Sequence, residues 1–243
     1  MIERTETLEI SDGAMEVFIA HPQGKGPFPV VVQIMDALGM REELRDHARR
    51  VARWGYYVLA PDLFHRTGLK APLDFADPND RQRIMAAMAA LTNALVTSDI
   101  VATLKLAEAD KAAGTGKIGI YGFCMGGRLT FVLCQALGER VAAAASIHPG
   151  GLVTDDPNSP HRHLDRVSAE LYFGIADQDQ SATPEQMTEL EKALKARNIV
   201  YQLEWHPGAR HGFTMPSRSN IYLQAAAEKV WGRLQALFAR KLV

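Results

Sequence analysis

The residues best suited to chemistry in this chain are centred on Cys124, in the run Gly122-Phe123-Cys124-Met125-Gly126-Gly127. The apolar stretch 118–121 precedes this run, and apolar residues spaced three or four apart follow it, so the pattern predicts a strand, a sharp turn and a helix. A turn of this kind holds its central residue in a strained conformation at a helix N-terminus, where partial positive charge favours a thiolate. The pattern therefore predicts a cysteine nucleophile.

Two other interpretations of this turn remain open. Cys124 could be a small buried apolar residue, or the glycines could form a phosphate-binding turn. The second alternative lacks both Gly-Lys-Ser/Thr and Gly-x-Gly-x-x-Gly. The other cysteine, Cys134, lies ten residues further along the predicted helix, too far for a disulfide, and is expected to be a packing residue. Two cysteines without a mutual disulfide fit a reducing compartment, so we expect a cytoplasmic protein.

A nucleophile of this type needs a base, and the base needs a carboxylate to orient it. In doubly wound hydrolases, these groups follow one another along the chain as nucleophile, acid and histidine. Asp177 follows the strand predicted at 169–175 and is the favoured acid, with Asp179 as its competitor. Either aspartate could instead cap a loop or a helix.

His211 is the favoured base because it lies in a glycine-containing loop between the last predicted strand and the last predicted helix. Its main rival is His206, at the end of that strand. His148 ends an earlier strand and could face the substrate. His161 and His163 resemble a metal pair only superficially, since no third ligand has suitable spacing, and we expect no metal.

Attack on a carbonyl carbon creates an oxyanion, which needs two backbone N–H donors. Met125 directly follows the nucleophile and is expected to supply the first donor. The second is expected from the loop 35–39 after the first buried strand, with Ala37 as the favoured residue. The loop 66–80 and the segment 150–165 are expected to border the substrate pocket.

Predicted strands and helices alternate along the whole chain, which indicates an α/β fold with a mostly parallel sheet and helices on both faces. We expect a single domain over residues 1–243, with the ligand beyond the carboxyl ends of the strands. The predicted elements, in chain order, are a hairpin of 5–10 and 15–20, strand 30–35, helix 41–54, strand 56–60, two helices within 81–113 broken near 97–98, strand 118–121, the helix after Cys124, strand 141–147, strand 169–175, helix 184–197, strand 200–205 and helix 221–242.

Composition excludes several classes of partner. The chain has 243 residues, and its 27 basic and 28 acidic side chains give a net charge of −1, so charge gives no reason to expect binding to nucleic acid or to an anionic membrane. No apolar stretch approaches the length of a membrane span, and the first residues do not form a signal-peptide core. An apolar fraction of 47% with 23% charged residues is typical of a soluble globular enzyme.

With the motif 122–127, the two candidate partners Asp177 and His211, and the segment 36–39, the chain resembles the dienelactone hydrolase family over about 30–238. This resemblance implies an α/β-hydrolase fold with a triad of Cys124, Asp177 and His211. It also implies hydrolysis of small-molecule esters or lactones through an acyl-thiol intermediate, without a metal or organic cofactor.

Two positions depart from the family pattern. Asp36 stands where the family carries a glutamate that exchanges a proton with the thiol, so Asp36 is expected to contact Cys124, or alternatively to cap the next helix. Met215 stands where the dienelactone enzymes have a substrate-binding arginine. Besides His148, the candidate substrate-contacting residues are Arg81 and Phe213.

Two alternatives to this ester or lactone hydrolase remain. The chain could be a weakly catalytic or non-catalytic scaffold that binds a small ligand or senses oxidants through Cys124. It could also hydrolyse another bond, such as a peptide or a thioester. A complete triad distinguishes the enzyme from a binding module, which needs none.

Overall fold

The computed structural model describes residues 1–242, which form two compact units. The first unit spans Met1–Gly116, and the second begins at Lys117. The expectation of one domain over residues 1–243 stays a prediction.

The first unit begins with the predicted hairpin. Its elements are β1 (Ile2–Ile10), β2 (Gly13–His21), β3 (Val30–Ile34), α1 (Glu42–Ala52), β4 (Tyr57–Pro61), α2 (Pro78–Ala90) and α3 (Asn93–Ala109). β2 pairs antiparallel with β1 and with β4, whereas β3 pairs parallel with β4. β3 and β4 are buried along their whole length, as their apolar sequences indicate, and the one polar residue of β3, Gln33, donates its side-chain hydrogen bond to the carbonyl of Leu44.

The break between the two central helices lies earlier than predicted. The sequence suggested a break near 97–98, but α2 ends at Ala90 and α3 begins at Asn93. Thr92 decides this position because its hydroxyl accepts a hydrogen bond from the N–H of Leu95 and caps α3. Thr97 lies inside α3, where its hydroxyl bonds the carbonyl of Asn93.

The second unit contains four neighbouring parallel strands. Its elements are β5 (Ile118–Phe123), α4 (Met125–Leu137), β6 (Val141–Ile147), β7 (Glu170–Gln178), α5 (Pro184–Ala196), β8 (Tyr201–Arg210) and α6 (Gln224–Lys241). β5 pairs with β6, β6 with β7 and β7 with β8. The N-cap of α5 is Thr183, which forms a capping box with Gln186.

Helices cover both faces of β5. A Cβ atom on Gly119 would lie 2.9 Å from the ring of Phe238 in α6, whereas one on Gly122 would meet the backbone of Gly126 in α4. Positions 119 and 122 point to opposite faces because side chains alternate along a strand. α6 and α4 therefore pack on opposite sides, and the glycines allow their close approach.

β7 and β8 both continue further than the sequence predicted. β7 was expected to end at 175 and β8 at 205, but they end at Gln178 and Arg210. An irregularity makes this possible: Ala176 pairs with His206, and the next pair joins Gln178 to Arg210. One residue of β7 thus faces three of β8, so the strands bend and then resume their pairing.

Within residues 1–242, none of the helices taken alone has the length and apolar character of a membrane span. Together, α2 and α3 reach those values by length and composition only, and the pair is bent by 80° at its break.

An ion pair ties the loop after β4 to α3. The two terminal nitrogens of Arg66 bond both carboxylate oxygens of Asp99, at 2.7 and 2.6 Å, and Arg66 also pairs with Asp12 in the β1–β2 turn. The Asp99 side chain is 0% exposed. A carboxylate buried in this way needs its cationic partner to offset the loss of hydration.

We predict that Arg66→Met lowers the free energy of unfolding by about 3–5 kcal/mol, because it leaves the Asp99 charge buried and unpaired. Urea denaturation followed by circular dichroism measures this change. Arg83→Met is the matched control, since Arg83 forms an exposed pair with Asp80 and its loss should cost less than about 1 kcal/mol. Equal effects of the two substitutions would contradict the prediction.

Candidate active site

Cys124 lies between β5 and α4 in a strained conformation, as the sequence predicted. Its φ of 55° and ψ of −119° are unusual for a residue with a side chain. Its N–H donates to the carbonyl of Ile147 at 3.0 Å, and its own carbonyl accepts from Gly127 at 3.0 Å. Cys124 is partly exposed, so the thiol sits at a turn that solvent can reach.

The glycines of the motif have distinct steric roles. A Cβ on Gly122 would clash with the backbone oxygen of Gly126 and lie 2.8 Å from Oγ1 of Thr130. A Cβ on Gly127 would lie 3.1 Å from the carbonyl oxygen of Ile147 in β6. The turn at Cys124, called the elbow below, is therefore packed tightly against both α4 and the end of β6.

His211 directly follows β8 and is paired with Asp179. Nδ1 of His211 lies 2.5 Å from Oδ2 of Asp179, and the Asp179 side chain is only 3% exposed. The other oxygen of Asp179 accepts a hydrogen bond from the N–H of Ser181 at 2.8 Å. The N–H of Ser181 thus holds one carboxylate oxygen, and the imidazole of His211 binds the other.

The preference for Asp177 as the partner of His211 was wrong. Asp177 is exposed, and its Oδ2 accepts a hydrogen bond from the N–H of Gly208 at 3.0 Å. The reason is the length of β7: it runs to Gln178, so the first residue after the strand is Asp179. The predicted strand was three residues too short, and the aspartate that directly follows the observed strand is the one that pairs with His211.

Electrostatics favour a protonated His211. Burial by itself lowers the pKa of His211, but hydrogen bonds with Asp179 and Cys124 raise it from 6.5 to about 10. Burial raises the pKa of Asp179, yet its hydrogen bonds with His211 and Ser181 hold it below the usual value. Both shifts favour an imidazolium ring on His211 beside the ionised carboxylate of Asp179.

Met125 is the first residue of α4, so its N–H has no acceptor within the helix. It directly follows Cys124, as the predicted oxyanion donor should. Ala37 lies in the first unit, in a turn whose next two N–H groups, those of Leu38 and Gly39, donate to the side chain and carbonyl of Asp36. The roles of Met125 and Ala37 stay predictions.

Asp36 is bound by arginine. Its two carboxylate oxygens accept hydrogen bonds from Arg41 at 2.7 and 2.8 Å. Asp36 does not cap α1, because the N-cap position of that helix is Arg41 itself. The predicted contact of Asp36 with the Cys124 thiol stays a prediction.

The three candidate substrate-contacting side chains differ in exposure. Arg81 is exposed in α2, whereas His148 is 1% exposed and Phe213 is fully buried. The ring of Phe213 packs 5.6 Å from that of His148 and 5.0 Å from that of His206. His148 and Phe213 therefore contact protein rings in this state, and contact of any of the three with substrate stays a prediction.

The rival histidines have other partners. His206 is a buried residue of β8, and its Nε2 lies 3.1 Å from the hydroxyl of Tyr172. His161 bonds the hydroxyl of Ser159, and His163 bonds the carbonyl of Pro157. Across residues 1–242, no group of three or more His, Cys, Asp or Glu is arranged to hold a metal ion.

One buried polar residue of the loop that carries His211 had no signal in the sequence. Thr214 is buried, and its Oγ1 lies 2.8 Å from Nε2 of His148. A single threonine in a loop has no sequence pattern that distinguishes it from a solvated one. The contact between His148 and Thr214 depends on how the fold brings the end of β6 to the loop after β8, so it could be found only from the structure.

Comparison with known proteins identifies the family. The model of the dienelactone hydrolase family matches residues 15–242. The chain belongs to this family.

Curated relatives and a solved structure agree with this assignment. The chain is 32% identical to a protein of Methylorubrum extorquens over 95% of this chain and 78% of the relative, and 31% identical to one of Escherichia coli K12 over 92% and 82%. Both relatives are named "Putative carboxymethylenebutenolidase". The crystal structure of a "Putative Dienelactone Hydrolase" from Klebsiella pneumoniae is 25% identical, with a TM-score of 0.87 and coverage of 98% of both chains.

The expected fold class and activity class are thereby confirmed. The protein has the α/β-hydrolase fold, and it is a hydrolase of the ester and lactone type. The comparisons give no support to a non-catalytic scaffold.

We predict that the His211 ring stays protonated at pH 8, since hydrogen bonds to Asp179 and Cys124 raise its pKa to about 10. Asp179→Asn and Cys124→Ala should each lower this pKa, which NMR of ¹⁵N-labelled histidine measures directly. Because the folded-state pKa lies above 6.5, this arrangement stabilises the fold fully below about pH 6.5 and loses its effect as the pH rises towards 10. A ring that is already neutral at pH 8 would contradict the prediction.

A second prediction concerns the elbow. Gly122→Ala should lower both the melting temperature and ester hydrolysis, the latter by at least about tenfold, because the new methyl group meets backbone rather than a movable side chain. Gly116→Ala is the control, since a Cβ there has nothing within 4 Å. Thermal unfolding and p-nitrophenyl acetate turnover measure the two effects, and equal behaviour of both variants would count against this account of the turn.

Proposed function

We propose that this hydrolase cleaves its ester or lactone bond through a covalent intermediate on Cys124, with His211 as the acid–base group and Asp179 as the carboxylate that orients it. The observation that carries the proposal is the hydrogen bond of 2.5 Å between His211 and Asp179. The side chain of Cys124 is hydrogen-bonded to the same imidazole. Since Nδ1 faces the carboxylate, Nε2 is the nitrogen available to the thiol. This arrangement supplies nucleophile, base and orienting acid in the order that nucleophilic acyl transfer requires.

In the first half of the reaction, the Cys124 sulfur, whose proton lies on His211, attacks the carbonyl carbon. A carbon–sulfur bond forms, and the carbonyl electron pair moves to the oxygen. The Met125 N–H at the start of α4 stabilises this oxyanion, with Ala37 as the proposed second donor. When the oxyanion collapses, the carbon–oxygen bond of the ester breaks, and the leaving alkoxide takes the proton from His211. In a lactone, this alcohol remains part of the acyl group.

In the second half, neutral His211 removes a proton from water, and the resulting hydroxide attacks the acyl-thiol carbon. The carbon–sulfur bond breaks, the acid departs, and the protonated imidazole again faces the Cys124 sulfur. Asp179 matters in both halves, because its negative charge stabilises each imidazolium and holds Nδ1 protonated. The same hydrogen bond keeps Nε2 aimed at the reacting atoms.

The wider setting of the reaction is also part of the proposal. The partner is a small-molecule ester or lactone, and neither nucleic acid nor a membrane is needed. Both cysteines are free thiols, which supports a reducing compartment such as the cytoplasm.

The test of this proposal compares two aspartates two residues apart. We predict that Asp179→Asn lowers kcat for p-nitrophenyl acetate by at least about a hundredfold, because an amide neither stabilises the imidazolium nor fixes the protonated nitrogen. Asp177→Asn is the matched control and should leave kcat within about twofold, since an amide oxygen still accepts the hydrogen bond from Gly208. Cys124→Ala and His211→Ala should abolish turnover.

Rapid quenching and peptide mapping identify the covalent site. An acetyl group on the peptide that contains Cys124, absent in Cys124→Ala, is the expected result. Acylation of another residue, or turnover that survives Cys124→Ala, would overturn the proposed mechanism.

A further inference from the structure

His148 lies between the end of β5, which leads into Cys124, and the loop that carries His211. Its ring is 5.8 Å from that of Phe123, the residue before the nucleophile, and 5.3 Å from that of His211, in a T-shaped arrangement. On the far side of the loop it packs 5.6 Å from Phe213. One buried ring therefore packs against both Phe123, the last residue of β5, and His211, and so lies between the segment that leads into Cys124 and the loop that carries His211.

The backbone of His148 is held as firmly as its ring. Its φ of 36° is rare for a residue with a side chain, and its N–H donates to the carbonyl of Gly174 in β7 at 2.7 Å. The residue before it, Ile147, accepts the hydrogen bond from the N–H of Cys124. Strain of this kind persists only where surrounding contacts over-determine the conformation, and it is concentrated at functional sites.

The orientation of the His148 ring is fixed by a side chain of the His211 loop. Nε2 of His148 and Oγ1 of Thr214 share a hydrogen bond of 2.8 Å, and both residues are 1% exposed. Thr214 comes three residues after His211. The carbonyl of the intervening Phe213 accepts a hydrogen bond from the N–H of Leu223, which anchors the same loop from its other side.

We propose that His148 and Thr214 are positioning residues for the His211 imidazole, the ring setting the separation of base and nucleophile and the hydroxyl fixing the ring. The proposal rests on the function assigned above to Cys124 and His211. Neither residue contacts substrate in this role, which explains why a histidine at the end of β6 is buried rather than open to the pocket. Its contribution is geometric: a displacement of about 1 Å in a base of this kind can lower a rate by about a hundredfold.

The decisive variants remove the polar atoms of the His148–Thr214 hydrogen bond while largely keeping the shape of the side chains. Thr214→Val removes the hydroxyl at nearly constant volume, and Thr214→Ser restores it. His148→Phe keeps an aromatic ring between Phe123 and His211 but removes both ring nitrogens, including the Nε2 that bonds Thr214. Thr103→Val is the matched control: Thr103 is a buried threonine of α3 whose hydroxyl has no hydrogen-bond partner among residues 1–242.

For p-nitrophenyl acetate, Thr214→Val and His148→Phe should lower kcat between about tenfold and a hundredfold while KM stays within about twofold. Thr214→Ser should recover most of the lost kcat, and Thr103→Val should behave as wild type. A rise in KM without a change in kcat would overturn the proposal, because it would make these residues substrate contacts. Unchanged kinetics in Thr214→Val would overturn it as well.

A second readout does not depend on catalysis. The titratable and charged groups packed against the His211 loop include Cys124, Asp179, His148 and, against Phe213, His206, with the Arg218 guanidinium next to Gly212. If positioning is lost, the hydrogen bonds to Asp179 and Cys124 loosen, so NMR should show a lower His211 pKa in Thr214→Val and a recovered one in Thr214→Ser. A His211 pKa in Thr214→Val equal to that of the wild type would contradict the positioning role. Activity that survives in Cys124→Ala would instead contradict only the mechanism proposed for Cys124.

Discussion

The backbone of Cys124 is the constraint on which the rest of the site depends. A φ of 55° costs a residue with a side chain on the order of 1–3 kcal/mol, so neighbouring contacts must hold it. The hydrogen bond from its N–H to Ile147 and the first turn of α4 do so, and both require glycines, because Cβ atoms at 122 and 127 would meet main chain. The strain thus accounts for the composition of the motif. It also explains why the elbow is pressed against the end of β6, where His148 follows.

Charge makes a second constraint. The imidazole of His211 lies between two groups that favour its protonated form, and the carboxylate among them is almost fully buried. A buried carboxylate is stable only with a firm set of donors, and Asp179 has both the imidazole and the N–H of Ser181. In the first unit, Asp36 is satisfied in the same manner by Arg41, which also occupies the N-cap position of α1. Each carboxylate also accepts a hydrogen bond from the backbone N–H two residues further along the chain, that of Ser181 or that of Leu38.

Local sequence was sufficient to predict most of the elements and the strained turn at Cys124. Largely apolar runs located β3 and β6, and the glycine-rich turn identified Cys124 because its requirements are steric and local. The choice between Asp177 and Asp179 failed for the opposite reason. It depends on where β7 ends, and that end is set by pairing with β8 across an irregularity that neither strand reveals by itself. The same holds for Thr214, whose partner lies 66 residues away. Contacts made within a turn could be predicted, whereas those that depend on the register between strands could not.

The irregular pairing of β7 with β8 has an evolutionary consequence. Residues 207–209 of β8 stand opposite a single residue of β7, so they act as a spacer before His211. Side chains alternate along a strand, and the loss or gain of one residue here would turn the imidazole away from its carboxylate. We therefore expect natural variation to alter the chemical identity of this spacer more freely than its length. Insertions and deletions should instead accumulate in loops that do not set the strand register.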